Sequence, residues 1–323
     1  MIISSANYLV TGGAGFIGSH LVDALLGRGD EVLVIDDLSS GKRANLEQAG
    51  SAELRIGDVS SADVAASGFG DFEPSCVFHV AAQVDVRRAV ADPGHDAVVN
   101  LLGTIRVLEA ARSSSTPVVF ASTGGAIYGE GEGRELPFDE AAECRPETPY
   151  GLSKLAAESY VELYRAVHGV PGIALRFGNV YGPRQDPHGE AGVVAIFCGQ
   201  MVSRATPTIF GNGAQTRDYV YVGDAVGALV LAGERLLEAG TPLQGPLNVG
   251  TGVETSVLEV AERLRELAGE ADLLPELAPA RTGEIQRNAL DAGAAARVLD
   301  WRPSVGLGAG LEQTLASVRD GLA

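Results

Sequence analysis

Short runs of consecutive apolar residues alternate with amphipathic stretches through the first half of the chain. Tyr8 to Thr11, Glu31 to Asp36, Leu54 to Ile56, Ser75 to Ala81, Pro117 to Ala121 and Gly172 to Phe177 are strand-length and largely apolar. Between them, Phe16 to Leu26, Val99 to Ala111 and Tyr150 to Val167 read as helices, the first with apolar residues at 17, 21, 22, 25 and 26. Strands apolar on both faces and separated by helices predict a parallel sheet covered on both sides. The fold class is therefore α/β, a Rossmann-type doubly wound parallel sheet. After about residue 177 the rhythm breaks. Gly182 to Gly192 is turn-rich, and helices are expected at 193–204, 223–239 and 255–268. A proline-rich connector, Leu274 to Pro279, precedes two more around 291–299 and 307–320. We expect residues 1–177 to form one domain and 178–323 mainly a smaller mixed α/β lobe. Parts of about 216–245 are expected to pack back on the first.

Composition narrows the partners. The chain has 323 residues, 46% hydrophobic and 20% charged, so a large core is available and disorder is disfavoured. A net charge of −18 repels phosphate backbones, which argues against nucleic acid. No apolar run approaches the roughly 20 residues of a membrane span. The N-terminal stretch Met1 to Asn7 has no basic region, unlike a secretion signal. Cys76, Cys144 and Cys198 are odd in number and form no CxxC, and the histidines at 20, 79, 95, 168 and 188 show no ligand spacing. We expect no disulfide, no metal and a reducing cytoplasm.

The chemistry gathers where the strands end. After the first strand comes Thr11-Gly-Gly-Ala-Gly-Phe-Ile-Gly18, which satisfies GxGxxG through Gly13, Gly15 and Gly18, and GxxGxxG through Gly12. Glycine lets a backbone turn tightly, approach a pyrophosphate and pack on the sheet, while the helix that follows points amide dipoles at the anion. An isolated match is an ordinary turn as often as not. This one follows a strand, opens a helix, and has Asp36 eighteen residues beyond Gly18. Asp36, with Asp37 beside it, suits a ribose diol and repels a 2′-phosphate, which favours NAD over NADP. Asp58 could accept from an adenine amine, or could cap a helix over 60–67.

The second signal is Thr148-Pro-Tyr-Gly-Leu-Ser-Lys154. Tyr150 and Lys154 are four apart on a helix, hence on one face about 6 Å apart along the axis. A nearby ammonium and an oxidised nicotinamide both favour phenolate, so Tyr150 is expected to act as a general base near neutral pH. A solvated helix face would carry the same pair by chance. Its position after a strand ending in Ser122-Thr123 makes the catalytic reading the stronger one.

With these residues in place the sequence resembles the extended short-chain dehydrogenase/reductases, and among them the nucleotide-sugar 4-epimerases typified by those of UDP-glucose. The supporting stretches are Thr11 to His20, Gly57-Asp58, His79 to Gln83, Ser122 to Gly129, Tyr150/Lys154, Arg176 to Pro183, Arg217 to Tyr219 and Arg281 to Glu284. The resemblance implies reversible C4 epimerisation of a UDP-hexose, UDP-glucose/UDP-galactose first. Hydride passes to and from bound NAD through a transient 4-keto sugar. Tyr150 exchanges the C4 hydroxyl proton, Lys154 holds the nicotinamide ribose, and Ser122 or Thr123 hydrogen-bonds the reacting oxygen. A register that aligns Tyr128-Gly129 would instead put Gly124 at the hydroxyl position; strand register favours Thr123. The cofactor set is Gly12, Gly15, Phe16, Ile17, Gly18, Asp36, Asp37, Asp58, Val59, Ala81, Ala82, Gln83, Asn100, Tyr150 and Lys154. Asn179, Val193, Arg217, Arg281, Glu284 and Asn288 would bind the UDP-sugar, with arginine forks on the phosphates. Arg87, Arg88 and Arg184 are candidates for a uronate carboxylate. A homodimer through helices 99–112 and 150–167 is also implied.

Three rivals remain. Dehydratases and decarboxylases of this superfamily carry acids where this chain has Gly124-Gly125. A 4-ketoreductase would share every residue named and consume reduced cofactor. A non-catalytic dinucleotide sensor would have no need of Tyr150 and Lys154. Acetamido or uronate UDP-sugars stay open as substrates.

Overall fold

A computed structural model describes residues 6–47, 52–187, 192–238, 243–281 and 283–322. One parallel sheet contains β1 (Asn7–Thr11), β2 (Glu31–Asp36), β3 (Glu53–Ile56), β4 (Cys76–His79), β5 (Val118–Thr123), β6 (Gly172–Phe177) and β7 (Leu247–Val249). Their spatial order is β7-β6-β5-β4-β1-β2-β3. Six coincide with the apolar runs, β2 and β6 residue for residue. The seventh is a correction to the six-strand reading: it is three residues long with a polar centre. Asn248 is buried there and donates to the carbonyls of Phe138 and Asp291.

The larger helices are α1 (Phe16–Gly27), α2 (Gly103–Arg112), α3 (Pro149–His168), α4 (Val193–Val202), α5 (Val222–Leu237), α6 (Val257–Ala268) and α7 (Leu307–Leu322). Successive strand residues point to opposite faces. Tyr8, Val10, Val32, Val34, Cys76, Phe78 and Val119 therefore enter one core with α1 and α5. Leu9, Leu33, Ile35, Val77, Val118 and Phe120 enter the other with α2 and α3. Both α5 and β7 come from the second half of the chain, so that half contributes directly to the sheet. A third core joins α4, α6 and α7 through Phe197, Met201, Val260, Leu264, Leu311 and Leu315. Three two-stranded ladders complete this lobe: 179–181 with 219–221, 216–217 with 255–256, and 208–210 with 276–278. They are too short for periodicity to reveal.

Two local features bear on the site. The helix expected from Val99 begins with a π-helical turn at Val98–Leu102 before α2, and this turn carries Asn100 into the interior. At the start of α3 the Thr148 hydroxyl accepts from Gly151 N–H at 3.1 Å and Pro149 occupies the first turn. Gly169, at φ 68°, ends the helix. Among the described residues no helix is long and apolar enough to cross a membrane.

Candidate active site

Strand order reverses between β1 and β4, and the glycine turn lies at the carboxyl edge beside that point, where such sheets bind ligands. Gly12 has φ +72°, and a Cβ on it would lie 2.6 Å from the Ala81 backbone nitrogen. A Cβ on Gly18 would lie 2.1 Å from Gly12 O, so α1 can sit this close to the turn only through glycine. No side chain caps the first amides of α1, and its first turn has no acid. Those amides are available to an anion. Asp36 closes β2, 6% exposed; its carboxylate accepts from Ala14 N–H at 2.9 Å and Leu38 N–H at 2.8 Å. Burial raises its pKa, and the two amide hydrogen bonds oppose the rise.

A cavity of about 560 Å³ opens here, lined by Gly12, Gly15, Phe16, Ile17, Gly18, Asp36, Asp37, Asp58, Val59, Ala81, Ala82 and Gln83. Asp58 does not cap the next helix, whose N-cap is Ser61; its carboxylate accepts from Ser60 N–H at 2.8 Å in a local turn. Loop 182–187 roofs the cavity, with Arg184, Gln185 and Asp186 among the lining residues. It is tied down by His20 Nε2 donating to Pro183 O (2.9 Å), by Arg184 on Asp23 (2.5 Å) and by Asp186 on Lys42 (3.7 Å). Arg88 also faces this cavity. The arginines proposed for a uronate thus include two on the cofactor side.

The cavity floor is held by a relay that the sequence reading missed. Thr104 Oγ1 donates to Asn100 O at 2.7 Å and so accepts from His79 Nε2 at 3.0 Å. That leaves His79 Nδ1 to accept from Thr11 Oγ1 at 2.7 Å. The ring is fully buried and neutral: burial, then the charge of Lys154, lower its pKa to about 3. Asn100 does not line the cavity. Its amide brackets the Gln83 peptide, accepting from its N–H and donating to its carbonyl, both at 2.9 Å.

Where β5 ends, the two hydroxyls part. Ser122 donates to Glu158, which is gripped by Arg176 at 2.7 Å in a pair whose side chains are each 7% exposed. Arg176 also donates to Tyr128 Oη at 2.8 Å, and Tyr128 donates to Asn248 at 2.8 Å. Ser122 is therefore spent on a buried network. Thr123, at the end of β5, is the hydroxyl that acts on Tyr150, lowering its pKa. Lys154 is 2% exposed; its Nζ donates to Ala121 O at 2.8 Å and lies 4.6 Å from the centre of the Phe120 ring. Burial lowers the Lys154 pKa to about 8 against the opposing charges of Asp96 and Glu158. The phenolate expected beside both the ammonium and an oxidised nicotinamide is not formed by the chain alone. Burial pushes Tyr150 up to about 12, the Thr123 hydroxyl opposes this, and the charge of Asp96 adds to it.

Two of the substrate candidates converge beside Thr123. A Cβ on Gly125 would lie 3.4 Å from Asn179 Oδ1 and 3.7 Å from Thr123 Oγ1, and Asn288 Nδ2 donates to Gly124 O at 3.3 Å. Oδ1 of both Asn179 and Asn288 is buried without a hydrogen-bond partner. Arg217 lies on the 216–217 strand with Nη2 3.7 Å from Glu284 Oε1. The Arg281 guanidinium stacks 3.9 Å from the Phe210 ring centre. Val193 opens α4. Carboxylates set this wall: Glu130 accepts from the N–H groups of Gln286 and Arg287, and Glu254 bridges Arg287 and Thr216.

A glycine cradle, an acid closing β2 and a Tyr-Lys helix beside a Thr hydroxyl define a dinucleotide-dependent enzyme acting on an alcohol. Residues 8–250 match the model of the NAD dependent epimerase/dehydratase family, and the chain belongs to that family. It is 44% identical to a UDP-glucose 4-epimerase of Mycolicibacterium smegmatis, over 97% of this chain and 98% of that one. Among solved structures it is similar to the UDP-glucose 4-epimerase of Thermotoga maritima with UDP-glucose. The TM-score is 0.92 at 41% identity, covering 98% of this chain and 100% of that one. The Thermus thermophilus UDP-glucose 4-epimerase, in complex with NAD, gives 0.87 at 43% identity, over 97% and 99%.

Proposed function

We propose that this chain is an NAD-dependent UDP-hexose 4-epimerase that interconverts the two C4 stereoisomers of its sugar. The observation that carries the reading is buried Lys154, its Nζ on the Ala121 carbonyl, one helical turn from Tyr150 on the same face, with the Thr123 hydroxyl at the end of the adjacent strand acting on the phenol. The cofactor fits the chain's own geometry: Gly12 and Gly18 form a cradle that side chains would fill, and Asp36 lines the cavity where it would hold a ribose. When bound, NAD supplies a hydride acceptor and donor and a positive ring charge. Thr123 hydrogen-bonds the C4 oxygen. Tyr150 takes the C4 hydroxyl proton and returns it to the 4-keto oxygen from the opposite presentation. A phenol that rests protonated near 12 becomes a base only when the assembled site supplies positive charge. Asn179, Arg217 and Arg281 hold the diphosphate, and Glu284, Val193 and Asn288 border the rest of the substrate.

The division of labour follows the chain: residues 1–177 carry the cofactor and 178–323 mainly the nucleotide-sugar, with α5 and β7 returned to the sheet. Two copies associate through α2 and α3. In support, Leu152 (59% exposed), Leu163 (46%) and Val167 (64%) form a stripe at helical spacing on α3. Sedimentation of Leu163→Glu against wild type tests this. All three cysteines are unpaired, which suits the reducing cytoplasm.

The reading is tested by incubating the purified protein separately with UDP-galactose, UDP-N-acetylglucosamine and UDP-glucuronate, with no reduced cofactor added. NMR then reads C4 stereochemistry. Conversion of UDP-galactose to an equilibrium mixture is expected. Conversion of none, or turnover only with added reduced cofactor and a keto sugar, would remove the epimerase and leave the reductase.

A further inference from the structure

Asp96 occupies a one-turn helix, Pro93–Ala97, packed against α3. It is fully buried. Oδ1 accepts from Gln83 Nε2 at 3.1 Å and from Asn100 Nδ2 at 2.9 Å. These are the two amides that fix the peptide at the cavity wall. Oδ2 is buried with no hydrogen-bond partner. A carboxylate in that state is costly unless a cation compensates it. No Lys or Arg forms a salt bridge with it among the described residues; Lys154, buried on the helix that packs against it, feels its charge. Glu158, the other acid acting on Lys154, is already held by Arg176 and Ser122.

We propose that Asp96 is a positioning residue for the reaction: its carboxylate is the buried counter-charge of Lys154 and the clamp that, through Asn100 behind it, holds Gln83 at the cofactor cavity. It is fully buried and does not line the cofactor cavity. It acts through the Tyr150–Lys154 pair, and so rests on the reading of that pair given above. Its charge favours the ammonium of Lys154 and opposes the phenolate of Tyr150, which keeps the pair protonated until the site is assembled. Ionisable groups on the surrounding elements are Tyr150, Lys154 and Glu158 on α3, His79 on β4, Arg87 and Arg88 on 86–91, and His95 on its own helix. Its charge acts on Tyr150 and Lys154.

Asp96→Asn keeps an acceptor for both amides and removes the charge. In the NAD-loaded protein both limbs of the kcat–pH profile are expected to move to lower pH together, by about one unit, with KM for the UDP-sugar changed less than about twofold. A merely structural role lowers kcat without moving either limb, and that result would overturn the proposal. A stability cycle decides the matter independently of activity. Lys154→Met leaves Asp96 uncompensated, so adding Asp96→Asn to it is expected to raise Tm by about 3 °C or more. A double variant no more stable than Lys154→Met alone contradicts the counter-charge even if the epimerase reading stands.

Discussion

The two edges of the site are built by different means. The cofactor edge is backbone: a glycine turn, the first amides of α1 and the ends of parallel strands, locked from below by Thr11, His79, Thr104 and Asn100. The proposed sugar-nucleotide edge is side chain: Asn179, Arg217, Arg281 and Asn288 stand on separate short segments, with Glu130 on the 286–287 backbone and Glu254 on Arg287 and Thr216 beside two of them. Backbone packed on a sheet cannot yield, because a shift of one strand displaces its neighbours. Side chains on short ladders can be exchanged singly. On the proposed function, the cofactor edge is the part that resists substitution and the other edge the part that would select a sugar.

That contrast can be broken or sharpened by substitution. Tyr150→Phe sits where the edges meet and is expected to cost about 10³-fold in kcat, with KM and bound NAD unchanged. A fall in NAD content as well would show that the phenol also builds the cofactor edge. Gly18→Ala puts a methyl against the Gly12 carbonyl. We expect about 2–3 kcal/mol of lost stability by chemical denaturation and roughly 100-fold weaker NAD binding by calorimetry. If the protein tolerates it, the edge is softer than described.

The His79 relay adds a pH dependence. The folded ring titrates at about 3 against 6.5 when free, so the native state binds fewer protons than the unfolded chain. Its contribution is complete above about pH 6.5 and is lost as pH falls toward 3, with a slope approaching about 1.4 kcal/mol per pH unit. Denaturant titrations between pH 6.5 and 5 should show the slope in wild type and a flatter one in His79→Gln. His20, lowered mainly by burial, contributes in the same direction. Arg217→Ala gives the smallest effect: KM for the UDP-sugar up about 10-fold, or about 1.4 kcal/mol, with Tm essentially unmoved. A collapse in Tm would place Arg217 in the scaffold.

The sequence displayed the cofactor edge well because its determinants are contiguous. Gly12 to Gly18, Asp36 and the pair Tyr150/Lys154 each lie within one turn or one helix, where spacing translates directly into geometry. Six strands were legible for the same reason, since burial on both faces leaves unbroken apolar runs. β7 was not, because its central residue is an asparagine held by tertiary hydrogen bonds. Asp96, Glu158 and the roof at Arg184–Asp186 were equally hidden: each acquires its role from a partner many residues away. The setting of the phenol was hidden for a further reason. Spacing places Lys154 near Tyr150 but says nothing of burial, and burial is the largest influence on both groups.

The most direct test titrates that phenol. Ultraviolet difference spectra of wild type minus Tyr150→Phe, recorded from pH 6 upward, isolate its ionisation. In the cofactor-free protein it should ionise near 12, and in the NAD-loaded protein at least about two units lower. The same value in both states would mean that the assembled site does not turn Tyr150 into a base, and the proposed proton transfer would fail.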